Sequence, residues 1–550
     1  MLEDMEFNAI QEENARELVK RLLNVIEQLS ADVRELRVEN RRLRDENNRL
    51  KGEQGEPDIK GNKTQRAAKE DHSSEVERHK RRRRHKKSKQ AGLSIDREEV
   101  LKVEASRLPA DAKYKGCEAV VVQDLQIKTD NVLFQKEKYY SASRHKTYLA
   151  ELPPGYAGQF GPGIKSLILS LYFGMGTSEP KIREFLENMG VVISDGQVSN
   201  LLIKKQHDFH AESEAVFDAG LRSSPWQQTD HTETRVDGQN QHCQVVCNPV
   251  YSSYHTRPGK DRLSVLDVLR QGRKRIFLLN AEAFGLLENV ALSKAAQKTL
   301  PKWRSEKVWQ EAAFVKRLDT ALPTLNIQQH TAILGAAAVA AYHAEKGVAI
   351  VDTLVSDDAS VFNWVTRSTM LCWVHDGRLY KKLEPVVSLH RQQLKDFRKS
   401  YWDYYHELLA YREKPTAQEH ARLEAQFDKL FATQSGYHDL DLRIAKTRAK
   451  KDSLLLVLQH PELPLHNNAS ELAVRQRVRK RDVSFCPRTS LGVQAWDSFM
   501  TLADTTRKLG ISFYAYIHDR ISGNNQIPSM DILVTNRARE LNLGWSWVAA

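Results

Sequence analysis

The chain has 550 residues, 41% hydrophobic and 28% charged, which is room for about three to five domains with ample apolar matter for cores and excludes wholesale disorder. Lysine and arginine outnumber aspartate and glutamate by 83 to 71, a net charge of +12, and such a surplus favours polyanionic partners, nucleic acid first. There is no apolar run of membrane-spanning length, no apolar stretch behind the acidic start Met1-Leu2-Glu3-Asp4, and only five cysteines; a membrane span, a secretory signal and a disulfide scaffold are excluded, and a cytosolic protein is expected.

Residues 1–55 carry a helical pattern. Leu22, Leu29, Leu36, Leu43 and Leu50 recur every seven residues, with Val19, Ile26, Val33, Asn40 and Asn47 on the complementary track. Leucine at d with β-branched residues or Asn at a predicts an N-terminal parallel coiled coil, the Asn pairs fixing register and a two-stranded state. The alternative is a lone amphipathic helix lying on a globular core. Residues 56–100 read as a basic, disordered linker. Nine of the twelve residues from Arg78 to Lys89 are Lys or Arg, and such a block stays extended until a polyanion neutralises it. Arg81, Arg82, Arg83 and Arg84 are candidate DNA contacts; a solvated linker is the plain alternative. A basic-zipper arrangement is disfavoured, because there the basic helix precedes the zipper without a break.

Residues 101–222 are mixed and then helical, with helices expected over Ile164 to Gly174, Glu179 to Asn188, and Asp195 to Phe209. Gly190 stands where a C-cap glycine belongs and Ser194 where an N-cap belongs. The pattern resembles a helix-turn-helix, with Gln197, Asn200 and Lys204 on one face of the second helix of the pair. An ordinary helical bundle fits equally well. From residue 223 the pattern turns to strands: Trp226 to Asp230, His242 to Asn248, and Tyr251 to Thr256. A helix over Arg262 to Gly272 follows, then a helical insertion near 276–345. Val348 to Ser356 and Met370 to Val374 read as buried strands. A second helical insertion falls near 388–455, and the domain closes helically at 521. Residues 522–550 read as a C-terminal tail. Strands, crossovers and insertions of this kind predict an α/β core.

Three acids stand at element edges. Asp230 ends the first strand, Asp357 and Asp358 close the strand that begins near Val348, and Glu471 opens a helix running through Arg475 and Arg479. Carboxylates at strand ends meet ligands in the crevice outside a sheet. Three of them suit two Mg²⁺ ions, hard cations that prefer oxygen, and two metals serve in-line displacement at phosphorus. Against this, Asp357-Asp358 has the look of a helix cap, and Glu471 to Arg475 of an ordinary i,i+4 ion pair. Arg475 and Arg479 share a helix face with Glu471 and suit phosphate. Cys243 and Cys247 share one strand face and read as core. Cys372 and His375 supply two ligands, which do not close a metal site.

The words around these acids carry a resemblance. Asn467-Asn468-Ala469-Ser470-Glu471-Leu472-Ala473-Val474-Arg475, then Arg479-Lys480-Arg481 and Phe485, is similar to the Asn-Asn-x-x-Glu-Arg-x-x-Arg block and Arg-Lys pair of the insertion-sequence sixty-six family of bacterial transposases. Cys372-Trp373-Val374-His375 with Arg378 resembles that family's Cys-Trp-x-His-x-x-Arg stretch, and Thr501 through Gly510 with Tyr514-Ala515-Tyr516-Ile517 its closing helix. The resemblance implies a ribonuclease H-like catalytic core with large helical insertions and an Asp-Asp-Glu triad of Asp230, Asp357 and Glu471, with Asp358 and Asp352 as runners-up. Phe362, five residues after Asp357, fits the family's aromatic. It further implies Mg²⁺, two ions with Mn²⁺ as substitute. The expected partners are DNA (the element's terminal inverted repeats and target DNA), a homodimer or higher oligomer, and accessory element-encoded proteins. Arg475, Arg479, Lys480 and Arg481 are the expected DNA contacts of the core. The chain departs from the family in offering only Cys117 where a zinc module often stands, so no zinc is expected. It departs again in its His231-Thr232 after the first aspartate and in a long gap between Asp230 and Asp357. The competing classes are a non-catalytic dimeric DNA-binding regulator and a ribonuclease H-like nuclease.

Overall fold

The computed structural model describes residues 13–51, 94–109, 111–156 and 158–548. The basic run from Arg78 to Lys89, with Arg81 to Arg84, lies outside the described residues. Among the described residues no helix is long and apolar enough to cross a membrane.

The heptad segment is a single helix, α1 (Glu13–Leu50). Its seam leucines are exposed, Leu29 at 58% and Leu36 at 67%, so the seam is not what holds α1 to the rest of the chain. Further on, Pro162–Leu169 is helical and passes into a π-helical turn, Ser170–Gly174. Next come α2 (Glu179–Asn188), α3 (Asp195–Ile203) and α4 (His207–Arg222). Ser194 caps α3 reciprocally with Gln197, and Gly190 takes positive φ after α2, as expected of those residue types. The third expected helix ends at Ile203, six residues short of Phe209. Lys205 adopts φ 58°, which breaks the helix and starts α4 in a new direction.

Five strands form one sheet: β1 (Trp226–Val236), β2 (Gln239–Asn248), β3 (Tyr251–Arg257), β4 (Thr353–Ser356) and β5 (Ser368–Leu371). Their order is β3-β2-β1-β4-β5, antiparallel through the first three and parallel for the last two. β1 runs on to Val236, beyond the expected end at Asp230, because its second half pairs with β2 around the Asp237-Gly238 turn. Both residues of that turn have positive φ, the geometry of a tight hairpin. The expected strand from Val348 shrinks to Thr353–Ser356. The expected strand through Val374 stops at Leu371, since Trp373 already begins a helix.

Successive β4 residues face opposite cores. Leu354 joins one core with Val245, Tyr254, Phe499 and the Ala-rich helix α5 (Ile327–Ala344). Val355 joins the other with Trp226, Trp373, Tyr401 and Phe427. That second core belongs to a helical module: α6 (Trp373–Lys381), α7 (Ser388–Glu413), α8 (Ala417–Leu430) and α9 (His438–Arg448). The chain returns to the sheet as α10 (Asn468–Ser484) and α11 (Ser490–Leu509). Within the stretch expected as a C-terminal tail, the described residues include packed helix. Met530–Glu540 is a helix with Met530 and Val534 fully buried, and Trp547 stacks on His460 at 3.7 Å. Cys243 and Cys247 are fully buried free thiols in the core.

Candidate active site

The register of the parallel pair β1/β4 places two of the acids side by side. Gln228 pairs with Val355; Asp230 and Asp357 each lie two residues further along. Both therefore emerge at the same end of neighbouring strands. Asp230 is largely buried, and its carboxyl is pushed up to about 7. Burial is the main cause, and the negative charges of Asp357 and Glu471 add to it, opposed by the His231 amide that donates to Oδ1 at 2.7 Å. That mutual repulsion records the convergence of Asp230, Asp357 and Glu471 from three separate elements.

The runners-up point elsewhere. Asp352 stands at the opposite end of β4, where it accepts from Trp547 Nε1 at 3.0 Å and pairs with Arg367. Asp358 is exposed and pairs with Lys450. Asp357 accepts the Ala359 amide at 3.2 Å in a short turn before Phe362, whose ring lies 5.9 Å from that of His231.

Glu471 sits in the first turn of α10, half-buried. The strand-to-helix step at Cys372 reaches it from the other side. Trp373 N donates to the Leu465 carbonyl at 2.9 Å, tying the start of α6 to the approach of α10. His375 Nδ1 stands 3.7 Å and Arg378 3.8 Å from the two Glu471 oxygens. Burial pushes the Cys372 thiol up to about 12, while the backbone amides of Asn467, His375 and Val374 point at its sulfur. Cys372, His375 and Glu471 bring ligand-type atoms within 4.8 Å of one another. Glu471 is thus a third neighbour that the spacing of Cys372 and His375 did not reveal. Asn467 is fully buried with both amide atoms lacking a hydrogen-bond partner, as does His375 Nδ1. Orphaned polar atoms of this kind are uncommon in cores and cluster at functional positions.

The basic residues of α10 divide. Arg475 and Arg479 are exposed on the Glu471 side. Lys480, expected as a DNA contact, turns inward instead: it is 3% exposed, its ammonium lies 3.1 Å from the Tyr172 ring centre, and it donates to the Thr177 carbonyl. Burial lowers it to about 6. Arg481 is half-buried and donates to the Glu233 carbonyl. Arg477, which sequence reasoning passed over, is 1% exposed, paired with Asp497 at 3.3 Å and set over the Trp496 ring. No local sequence signal marks this buried cationic pair, because its aromatic partners Tyr172 and Trp496 are supplied by other elements. In the helix-turn-helix-like region Asn200 and Lys204 are exposed, whereas Gln197 spends its amide on the α3 cap and on Gln159.

Residues 335–495 match the family model described as Transposase IS66 family. That span includes Asp357, the Cys372–Arg378 stretch and Glu471, and stops short of β1 and Asp230. The chain is also similar to the uncharacterized protein y4jO of Sinorhizobium fredii, 30% identical over 321 residues, which is 58% of this chain and 99% of that protein. The chain belongs to the IS66 transposase family.

Proposed function

We propose that this chain is a DNA transposase of the Asp-Asp-Glu type, with Asp230, Asp357 and Glu471 as its catalytic carboxylates. The emergence of Asp230 and Asp357 at the same end of the parallel pair β1/β4, with Glu471 close enough for its charge to act on Asp230, carries the reading. The order β3-β2-β1-β4-β5, with the first acid on β1, the second after β4 and the third on a later helix, supports a ribonuclease H-like core. All-oxygen donors of like charge fit Mg²⁺ or Mn²⁺. Such ions, once bound, supply charge neutralisation and nucleophile activation for displacement at phosphorus.

The chain's own residues orient the rest. His375 and Arg378 stand beside the Glu471 carboxylate at 3.7 and 3.8 Å, and Arg475 and Arg479 offer guanidinium forks to phosphates near it. In the first step water attacks the phosphodiester at an element end, the O3′–P bond breaks, and a 3′-hydroxyl is released. In the second that hydroxyl attacks a target phosphodiester and displaces the target's own 3′-hydroxyl. Both are phosphoryl transfers, in which positioning and charge neutralisation supply most of the catalysis. The partners proposed are the terminal repeats, target DNA and further copies of the chain. The domain plan proposed runs from the paired helix through the basic linker and helix-turn-helix-like region to the catalytic core.

The test is strand cleavage and joining on labelled terminal-repeat DNA with Mg²⁺ or Mn²⁺, comparing the wild type with Asp230→Asn and Glu471→Gln. Metal-dependent cutting lost in both, with DNA binding kept, supports the reading. Cutting that survives both overturns the triad. Binding without cutting under either metal favours the regulator.

A further inference from the structure

The first helical insertion, near 276–345, is tied to the body of the fold by a small packing unit of its own. Ile276 and Phe277 pair antiparallel with Gln310 and Trp309. The Phe277 ring stacks on Phe314 at 4.9 Å, and Leu278 N donates to the Ala337 carbonyl of α5 at 2.9 Å. These contacts fix the outward surface of the insertion relative to α5. The family match begins at residue 335, so it takes in none of that surface.

The surface is strongly basic. Residues 294–317 hold seven Lys or Arg against two acids, Glu306 and Glu311. Glu311 is already engaged by Arg275 at 3.0 Å. Among the described residues none of the seven cations has a carboxylate partner. The arginines that lead into the insertion differ: Arg270 and Arg273 pair with Glu345, and Arg275 pairs with Asp267 and Glu311.

What holds the unpaired cations is aromatic. The Arg317 guanidinium lies 4.4 Å from the Trp303 ring centre and 4.8 Å from that of Trp309, and the Lys307 ammonium lies 4.3 Å from Trp309. Both tryptophans are half-buried, with Lys302, Arg304 and Lys307 exposed around them. A carboxylate would orient these groups and cancel their charge. A ring orients them and leaves both the charge and the N–H donors in place. Ring faces given to cations are not free for bases, so the surface suits phosphates.

We propose that this insertion surface, around Trp303, Trp309 and Arg317, is a DNA-backbone contact separate from α10, in which Lys302, Arg304, Lys307 and Arg317 take phosphates of a duplex irrespective of its sequence. The choice of DNA among polyanions rests on the transposase reading. The readout is binding and needs no cleavage, so a chain that bound without cutting would sink that reading and leave this one standing.

The test uses the full-length protein and a labelled random-sequence duplex, with affinity followed against salt. Lys302→Ser/Arg304→Ser/Lys307→Ser removes three exposed cations and spares the tryptophans. It is expected to bind about tenfold or more weakly at moderate salt, and to flatten the slope of log affinity against log salt by about three. The loss is expected to be equal on terminal-repeat DNA, since phosphates carry no sequence. Lys429→Ser/Lys446→Ser/Arg448→Ser removes as much charge from exposed sites on α8 and α9 and is expected to leave the slope unchanged. Glu306→Lys adds a cation to the patch and is expected to steepen the slope by about one, a gain that misfolding does not imitate. An unchanged slope in either the Lys302 triple variant or Glu306→Lys, or an equal flattening in the α8–α9 variant, overturns the proposal. So does a loss seen with RNA and not with DNA, which would assign the surface to another polyanion.

Discussion

Two kinds of buried carboxylate stand close together in this molecule. In the α6–α9 module Asp376 is nearly inaccessible, yet it receives Arg443 at 2.8 Å, the Thr447 hydroxyl at 2.8 Å and the Tyr401 hydroxyl at 3.3 Å. Asp230, two strands away, receives one backbone amide and faces two further carboxylates. The first arrangement offsets part of its burial with three donors, though burial still holds the carboxyl above its ordinary value. The second has one donor and two like charges beside it, so its ionisation opposes folding more strongly, with the carboxyl pushed up to about 7. A chain keeps the second kind where a cation or a reacting group is to supply what the protein does not.

The sharpest way to break this contrast is chemical. Asp230→Asn and Glu471→Gln are expected to lower strand cleavage by about 1,000-fold or more, with no loss of melting temperature. Cleavage within about tenfold of wild type would put Asp230 with Asp376 as a structural acid. Next in size is the opposite site. Arg443→Met strips the buried partner from Asp376 and is expected to cost about 3 kcal/mol of stability, read by denaturant unfolding.

A third test turns on pH. The Asp230 carboxyl ionises near 7 in the fold, against an ordinary 3.8. Its ionisation therefore opposes folding progressively as pH rises from about 4 to about 7 and fully above that. Asp230→Asn is expected to gain about 2 kcal/mol at pH 8 and nothing below about pH 4; an equal gain at both ends would assign the effect to packing. Added Mg²⁺ is expected to raise the wild-type melting temperature at pH 8 and to do little for the variant. The smallest effects separate the two faces of α10. Arg475→Ala and Arg479→Ala are each expected to lower the slope of log affinity for DNA against log salt by about one at unchanged melting temperature. Lys480→Met is expected to do the reverse, shifting melting and leaving the slope alone.

What the sequence made legible follows from periodicity and local chemistry. The heptad track, the Ser194 and Gly190 caps and the strands around Cys243 and Tyr254 all announce themselves within a few residues. The three acids were legible only through the words around them, since spacing alone does not distinguish Asp357 from Asp352; the direction of β4 does that. The docking of α1 on the α6–α9 module through Glu27 and Asn24 was not legible at all. Glu27 looks like any charged residue off the seam, because its partners lie about 360 positions away along the chain. The inward turn of Lys480 failed to show for the same reason, as Tyr172 and Trp496 come from distant helices.

The strand order has a consequence for how the molecule comes into being. β1, β2 and β3 are joined by tight turns, so this meander closes small loops and forms fast. β4 must find β1 across more than a hundred intervening residues, and α10 arrives later still. Contacts of such long separation are made late in folding. The acidic cluster is therefore completed late in synthesis: a partly made molecule displays α1 well before Asp230, Asp357 and Glu471 have come together.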